Sequence, residues 1–195
     1  MEVRVLTETE ISPASELAVG VYNYCLRQSV FPQGLTDAFL QYAAADHLAQ
    51  MQREGQITCW GVWNGAQLCA MSAMQPEGHI TMLYVHPMYQ RCGYGKRLLA
   101  EMKKYAAAHG NLTCVTVNAM PVWTAEYFAR QGFSRMPLAG YENAGFVPMA
   151  APSIQEVGYR KKPLSGKVVA GVVGAFAGVI VFIGASFMTY YVMSH

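Results

Sequence analysis

Residues 83–102, LYVHPMYQRCGYGKRLLAEM, hold the densest chemical information in the chain. A strand ends at Val85, Pro87 opens a turn, and Gln90-Arg91-Cys92-Gly93-Tyr94-Gly95 leads directly into a helix. Glycines there allow tight turning and leave backbone N–H groups uncovered at a helix N-terminus. That combination binds a pyrophosphate, because the N–H dipoles and the helix macrodipole both favour negative charge. Lys96 and Arg97 in the first turn oppose the dipole of an isolated helix, and they make sense if a polyanion sits there. The loop is not a Walker A loop, since no Gly-Lys-Ser/Thr follows, and it is not a full G-x-G-x-x-G fingerprint. Alone, it is equally an ordinary glycine-rich turn. Cys92 lies near the same helix N-terminus, a position that favours thiolate, so an acyl-cysteine route is a minor alternative.

The surrounding residues extend the pattern. Val85-His86-Pro87 followed by Gln90-x-x-Gly93-x-Gly95, then a strand carrying Asn118, then a short helix with Phe128 closing at Gly132-Phe133, resembles the GNAT acetyltransferases. The resemblance is specific over residues 79–133 and architectural for 1–78 and 134–163. It implies a GNAT-type α/β fold: a mixed, mostly antiparallel sheet flanked by helices. It also implies acetyl-CoA as co-substrate, no metal, and an amine acceptor. By this likeness the backbone of Leu83, Tyr84 and Val85 pairs with the pantetheine arm as an added strand would. Main-chain groups from Gln90, Arg91, Cys92, Gly93, Tyr94 and Gly95, with Lys96 beside them, hold the pyrophosphate, and Asn118 reaches the cofactor from the neighbouring strand.

Acetyl transfer to an amine of pKa ~10 requires a lost proton, a stabilised oxyanion and a departing thiolate. A backbone N–H near Val85 suits the oxyanion. Some family members place a glutamate on the fourth strand, and the matching position here is His79, whose imidazole of ordinary pKa ~6.5 is a base near neutral pH. Glu77 is the second candidate base and a water chain the third. Many members also carry a tyrosine four residues before the Gly of the Gly-Phe pair. Phe128 holds that position and Tyr127 precedes it; one step turns a helical side chain by about 100°, so Tyr127 is expected to point elsewhere. Tyr84 and Tyr94 are the other phenols near the loop. The missing tyrosine leaves a second functional class open, a non-catalytic acyl-CoA-binding or membrane-anchored interaction module.

These residues need a scaffold. Ser12-Pro13 starts a helix with Leu17, Val21, Tyr24 and Cys25 at helical spacing. Thr36 caps a second, carrying Phe39, Leu40, Ala43, Leu48 and Met51 to a stop at Gly55. ITCWGVW and QLCAMSAM flank Asn64-Gly65, a hairpin signal, and Glu77-Gly78 turns the chain into HITMLYV. A helix follows over 95–108, then the strand LTCVTVNA, then a helix over 123–130. Tyr22, Tyr24, Phe31, Phe39 and His47 fall on the opening helices, where the acceptor site of such a fold lies.

Composition divides the chain in two. Residues 168–194 are twenty-seven positions without Asp, Glu, Lys or Arg, and about 20 apolar residues suffice to cross a bilayer core. A transmembrane helix is expected over 168–192, after an N-acetyltransferase domain over 1–163. Arg160, Lys161, Lys162 and Lys167 precede the span, which places the domain in the cytoplasm by the positive-inside rule. The span then acts as a tail anchor. Gly174-x-x-x-Gly178 is the spacing at which helices approach closely, so a homodimer through this face is one expectation and ordinary glycine usage in such helices the other. Residues 1–159 hold 10 basic and 12 acidic side chains, no footprint for nucleic acid. Five widely spaced cysteines without a C-x-x-C pair, and a start lacking a signal-peptide pattern, point to a reducing compartment.

Overall fold

The computed structural model describes residues 2–25, 33–137 and 145–153; the expected membrane span and its Gly-x-x-x-Gly face lie outside them. The elements run β1 (Glu2–Val5), α1 (Ile11–Cys25), α2 (Gln33–Tyr42), α3 (Ala45–Arg53), β2 (Thr58–Asn64), β3 (Gln67–Met74), β4 (His79–Val85), α4 (Tyr94–His109), β5 (Cys114–Ala119), α5 (Ala125–Arg130), β6 (Ser134–Arg135) and β7 (Val147–Pro152). The strands form one sheet in the order β1-β2-β3-β4-β5-β7-β6. Every neighbouring pair is antiparallel except β4 and β5.

Each face of the sheet buries its own apolar layer. Trp60, Val62, Ile80, Val115 and Val117 pack beneath Leu98, Leu99 and Met102 of α4 and Phe128 of α5. Cys59, Met71, Ala73 and Met82 pack on the other face against Ile11, Leu17 and Val21 of α1 and Leu48 and Met51 of α3. The register of β4 shifts along β3: Ala73 pairs with Met82 while Met74 pairs with Ile80. Thr81 is the extra residue of that bulge. Ile80 and Met82 therefore face opposite sides although they are two apart, which strict strand alternation forbids.

One expected helix is two. Ala44 adopts φ −57°, ψ 136° and separates α2 from α3. Ala43 is fully buried, and its carbonyl accepts a 2.6 Å bond from Ser15 Oγ on α1. Phe39 and Tyr42 of α2 still pack, partly buried, against the layer that holds Leu48 and Met51 of α3. β1 adds an edge strand along β2, with Val3 opposite Val62.

Candidate functional site

The two parallel strands part almost as soon as they meet. β4 and β5 pair only at His79–Thr116 and Ile80–Val117. Beyond that, Thr81–Val85 runs with β3 on one side, and Asn118 and Ala119 run with β7 on the other. The inner edge of β4 over 81–85 has no ladder partner among the described residues. An unpaired strand edge facing a gap accepts one more extended chain. Leu83, Tyr84 and Val85, expected to offer backbone groups, lie on this edge.

Above the gap the chain turns into α4. Arg91 and Gly93 take left-handed backbone conformations, φ 65° and 84°. Two such residues around an intervening one fold the loop over so that α4 starts without a side-chain cap at Gly93. A Cβ at Gly93 would meet nothing within 4 Å, so the space over the helix start is open. The first turn of α4 holds no acidic residue, and Lys96 and Arg97 are exposed beside it. These are the features of an anion site made by backbone N–H groups. Gln90 behaves differently from its neighbours: its side-chain amide donates to the Val85 carbonyl at 3.3 Å and lies 3.7 Å from Cys25 Sγ, tying the strand end to the end of α1. Cys92 is exposed, with its thiol toward the Gln90 carbonyl. The Tyr94 ring, 4% exposed, belongs to the core.

Gly95 serves a second purpose. A Cβ there would overlap the Tyr127 hydroxyl and approach Val85 Cγ2 to 3.6 Å. Tyr127 thus reaches from α5 to the first turn of α4 and the end of β4, contrary to the expectation from helical geometry that it points away. The 100° step is real, but α5 lies across the gap with both rings turned towards α4: Phe128 enters the core against Phe133, and Tyr127 packs edge-on beside it. The Tyr127 hydroxyl is buried without a hydrogen-bond partner, and burial pushes its pKa up to about 12. Asn118 Oδ1, across the gap, is likewise buried and unpartnered.

The two candidate bases stand elsewhere. His79 occupies the closed foot of the gap, 7% exposed, its Nδ1 2.9 Å from Thr116 Oγ1. Burial lowers its pKa to about 4, so the ring is neutral near pH 7 and weakly basic. Glu77 is exposed in the β3–β4 turn, at the end of the sheet opposite the glycine loop. On the α1 side of the gap an aromatic group forms: Tyr22 stacks on Phe39 at 4.3 Å, and Phe39 meets Tyr84 at 5.8 Å. Tyr127 and this ring cluster are the site residues that sequence spacing does not single out together, since four different elements supply them. Among the described residues no group of three or more His, Cys, Asp or Glu could hold a metal ion.

Comparison with known proteins agrees with this fold. The profile of the acetyltransferase (GNAT) domain family matches residues 23–153. A PaiA N-acetyltransferase from Thermoplasma acidophilum in complex with coenzyme A superposes with a TM-score of 0.64 at 15% identity, over 78% of this chain and 99% of that one. A GCN5-related N-acetyltransferase from Rhodopseudomonas palustris gives 0.62 at 21%, over 77% and 94%. An aminoglycoside 6'-N-acetyltransferase complexed with coenzyme A gives 0.57 at 10%, over 80% and 99%. At these identities the likeness is one of fold. No curated relative matches the chain.

Proposed function

The chain belongs to the acetyltransferase (GNAT) family, and on that premise we propose that it transfers an acetyl group from acetyl-CoA to an amine acceptor at the cytoplasmic face of a membrane. One observation carries the reading: the unpaired inner edge of β4 runs directly into an uncapped helix start with open space above it. An extended arm ending in a pyrophosphate fits that continuity, arm on strand and phosphates on helix.

The orphaned groups fit the same molecule. When bound, acetyl-CoA supplies an acetyl group already activated as a thioester. Backbone groups of Leu83, Tyr84 and Val85 hold its arm, and one N–H near Val85 serves the developing oxyanion. N–H groups from Gln90 to Gly95, with Lys96 beside them, hold the phosphates. Asn118 Oδ1 and the Tyr127 hydroxyl, buried and unpartnered, gain the hydrogen bonds they lack. Tyr127 holds a proton at Oη against the end of β4 and takes the part of the tyrosine that Phe128 displaces. We assign His79 to holding β4 against β5 through Thr116, and the acceptor's proton leaves to solvent.

The membrane part of the proposal rests on the charge-free run at 168–194 and the basic cluster before it. Among the described residues no helix is long and apolar enough to cross a membrane. The test is thiol release by the purified full-length protein from acetyl-CoA and a pool of primary amines. Amine-dependent release is expected. Tight acetyl-CoA binding without release from any amine would instead support a non-catalytic acyl-CoA-binding module.

A further inference from the structure

On the sheet face opposite α4, the half of β4 that has left β5 carries an aromatic surface. Tyr22 is 4% exposed and fixed by a 2.7 Å bond between its hydroxyl and Thr36 Oγ1. Phe39 stacks on it at 18° and meets the Tyr84 ring at 59°. Phe39 and Tyr84 are only half-buried, so these are the two rings that remain open to a ligand. Alternation along β5 puts Val115, Val117 and Ala119 under α4 and α5, which leaves Asn118, with its unpartnered buried Oδ1, on the same face as the rings.

Among the described residues no carboxylate is buried beside these rings, and Glu2, Glu16, Asp46 and Glu54 are exposed on β1, on α1, on α3 and just past the end of α3. Glu8 and Glu10 are paired with Arg53 and Arg4 beside β1. Glu77 lies at the far end of the sheet, and Glu101 and Glu126 pair with Lys104 and Arg130 on α4 and α5. Asp37 is exposed and two residues before Phe39, about 200° round the same helix. The phenols supply no charge either: burial raises the pKa of Tyr84 and pushes that of Tyr42 up to about 12.

A surface of rings without a counter-ion among the described residues discriminates between amines. Each ammonium brought to it loses water and gains no ion pair. A ring face attracts one nearby cation, which serves a single amine and leaves the further charges of a polycation uncompensated. A flat apolar body gains offset or edge contacts with Phe39 and Tyr84. We propose that this surface is the acceptor subsite and that it takes a primary monoamine on a flat apolar or aromatic body, and not a polyamine or an aminoglycoside. The proposal rests on the acetyl-transfer reading above.

The experiment titrates 2-phenylethylamine and spermidine into the full-length protein in detergent micelles, with and without coenzyme A. 2-Phenylethylamine is expected to bind at least tenfold more tightly than spermidine. Phe39→Leu, which keeps an apolar side chain but removes the ring, is expected to weaken 2-phenylethylamine several-fold, and Phe39→Asp to reverse the order of the two amines. Equal or tighter binding of spermidine by the wild type overturns the proposal, as does binding of neither amine or indifference of 2-phenylethylamine to Phe39→Leu. The coenzyme A arm is read separately. Amine binding without coenzyme A binding removes the acetyl-transfer reading and leaves the subsite standing; coenzyme A binding without amine binding does the reverse.

Discussion

A buried hydroxyl without a partner costs stability, and the groups that a ligand will satisfy are where such a cost is retained. Tyr127 carries that hydroxyl between α5 and α4. Tyr127→Phe is expected to leave the melting temperature unchanged or slightly raised, because the lost group makes no bond in the free protein. The same variant is expected to lower kcat by about 10–100-fold, at or below the lower limit of the usual range for a positioned acid, with acetyl-CoA affinity changed less than about threefold. Steady-state kinetics and a thermal melt check both halves; equal kcat in the variant contradicts the assignment.

His79 makes the complementary case, a buried polar side chain to which we assign a part in the fold. Its folded pKa of about 4 lies below its ordinary value of 6.5, so the unfolded chain binds more protons between the two. Its contribution is whole above pH 6.5 and is lost as pH falls through 4, and by pH 4.5 the loss is roughly 2–3 kcal/mol. Urea midpoints at pH 7.5 and 4.5 check this: His79→Gln is expected to lose less stability over that interval by about this amount. Its kcat/KM is expected to stay within roughly tenfold of wild type, since a positioned general base is worth 10²–10⁴. A wild-type pH profile rising smoothly toward the acceptor's own pKa of ~10 fits proton loss to solvent. A break near pH 6–7 abolished by His79→Gln contradicts it.

Between elements, the tightest joint in the site is Gly95 of α4 against Tyr127 of α5. Gly95→Ala is expected to destabilise by about 1–3 kcal/mol as an overpacked contact, and adding Tyr127→Phe is expected to recover part of that. Additivity of the two changes in urea unfolding contradicts the contact. This joint also marks the limit of what local sequence reveals. The strand–loop–helix run from Val85 to Gly95 is legible because its glycines and basic residues act within one local segment. The break at Ala43-Ala44 is not, because alanine is the best helix former, and what ends α2 is a side-chain bond from Ser15, 28 residues away. β1 offers only four residues of alternation. The Thr81 bulge puts Ile80 and Met82 on opposite faces where strict alternation would put them on one, and the direction of Tyr127 depends on where α5 lies, which no spacing within α5 encodes.

At the scale of the whole molecule, the mildly acidic stretch 1–159 and the charge-free run at 168–194 are physically different solutes in one chain. With Ile180→Lys and Ile183→Lys, each charge at the centre of a span costs about 2.5–3.5 kcal/mol on insertion scales. The double variant is expected to leave the membrane fraction for the soluble one, and equal retention of both proteins at the membrane contradicts an anchor. The acetyl-CoA site is the claim on which the functional reading turns. The direct measurement is isothermal titration of acetyl-CoA into the full-length protein and its Gly93→Glu variant. Gly93 has a left-handed φ of 84° and open space beyond it, so a carboxylate there both strains the loop and repels phosphate from the start of α4. Saturable binding by the wild type, weakened at least tenfold in a variant that still folds, is the result expected. No binding by the folded wild type, or equal binding by both, contradicts the site.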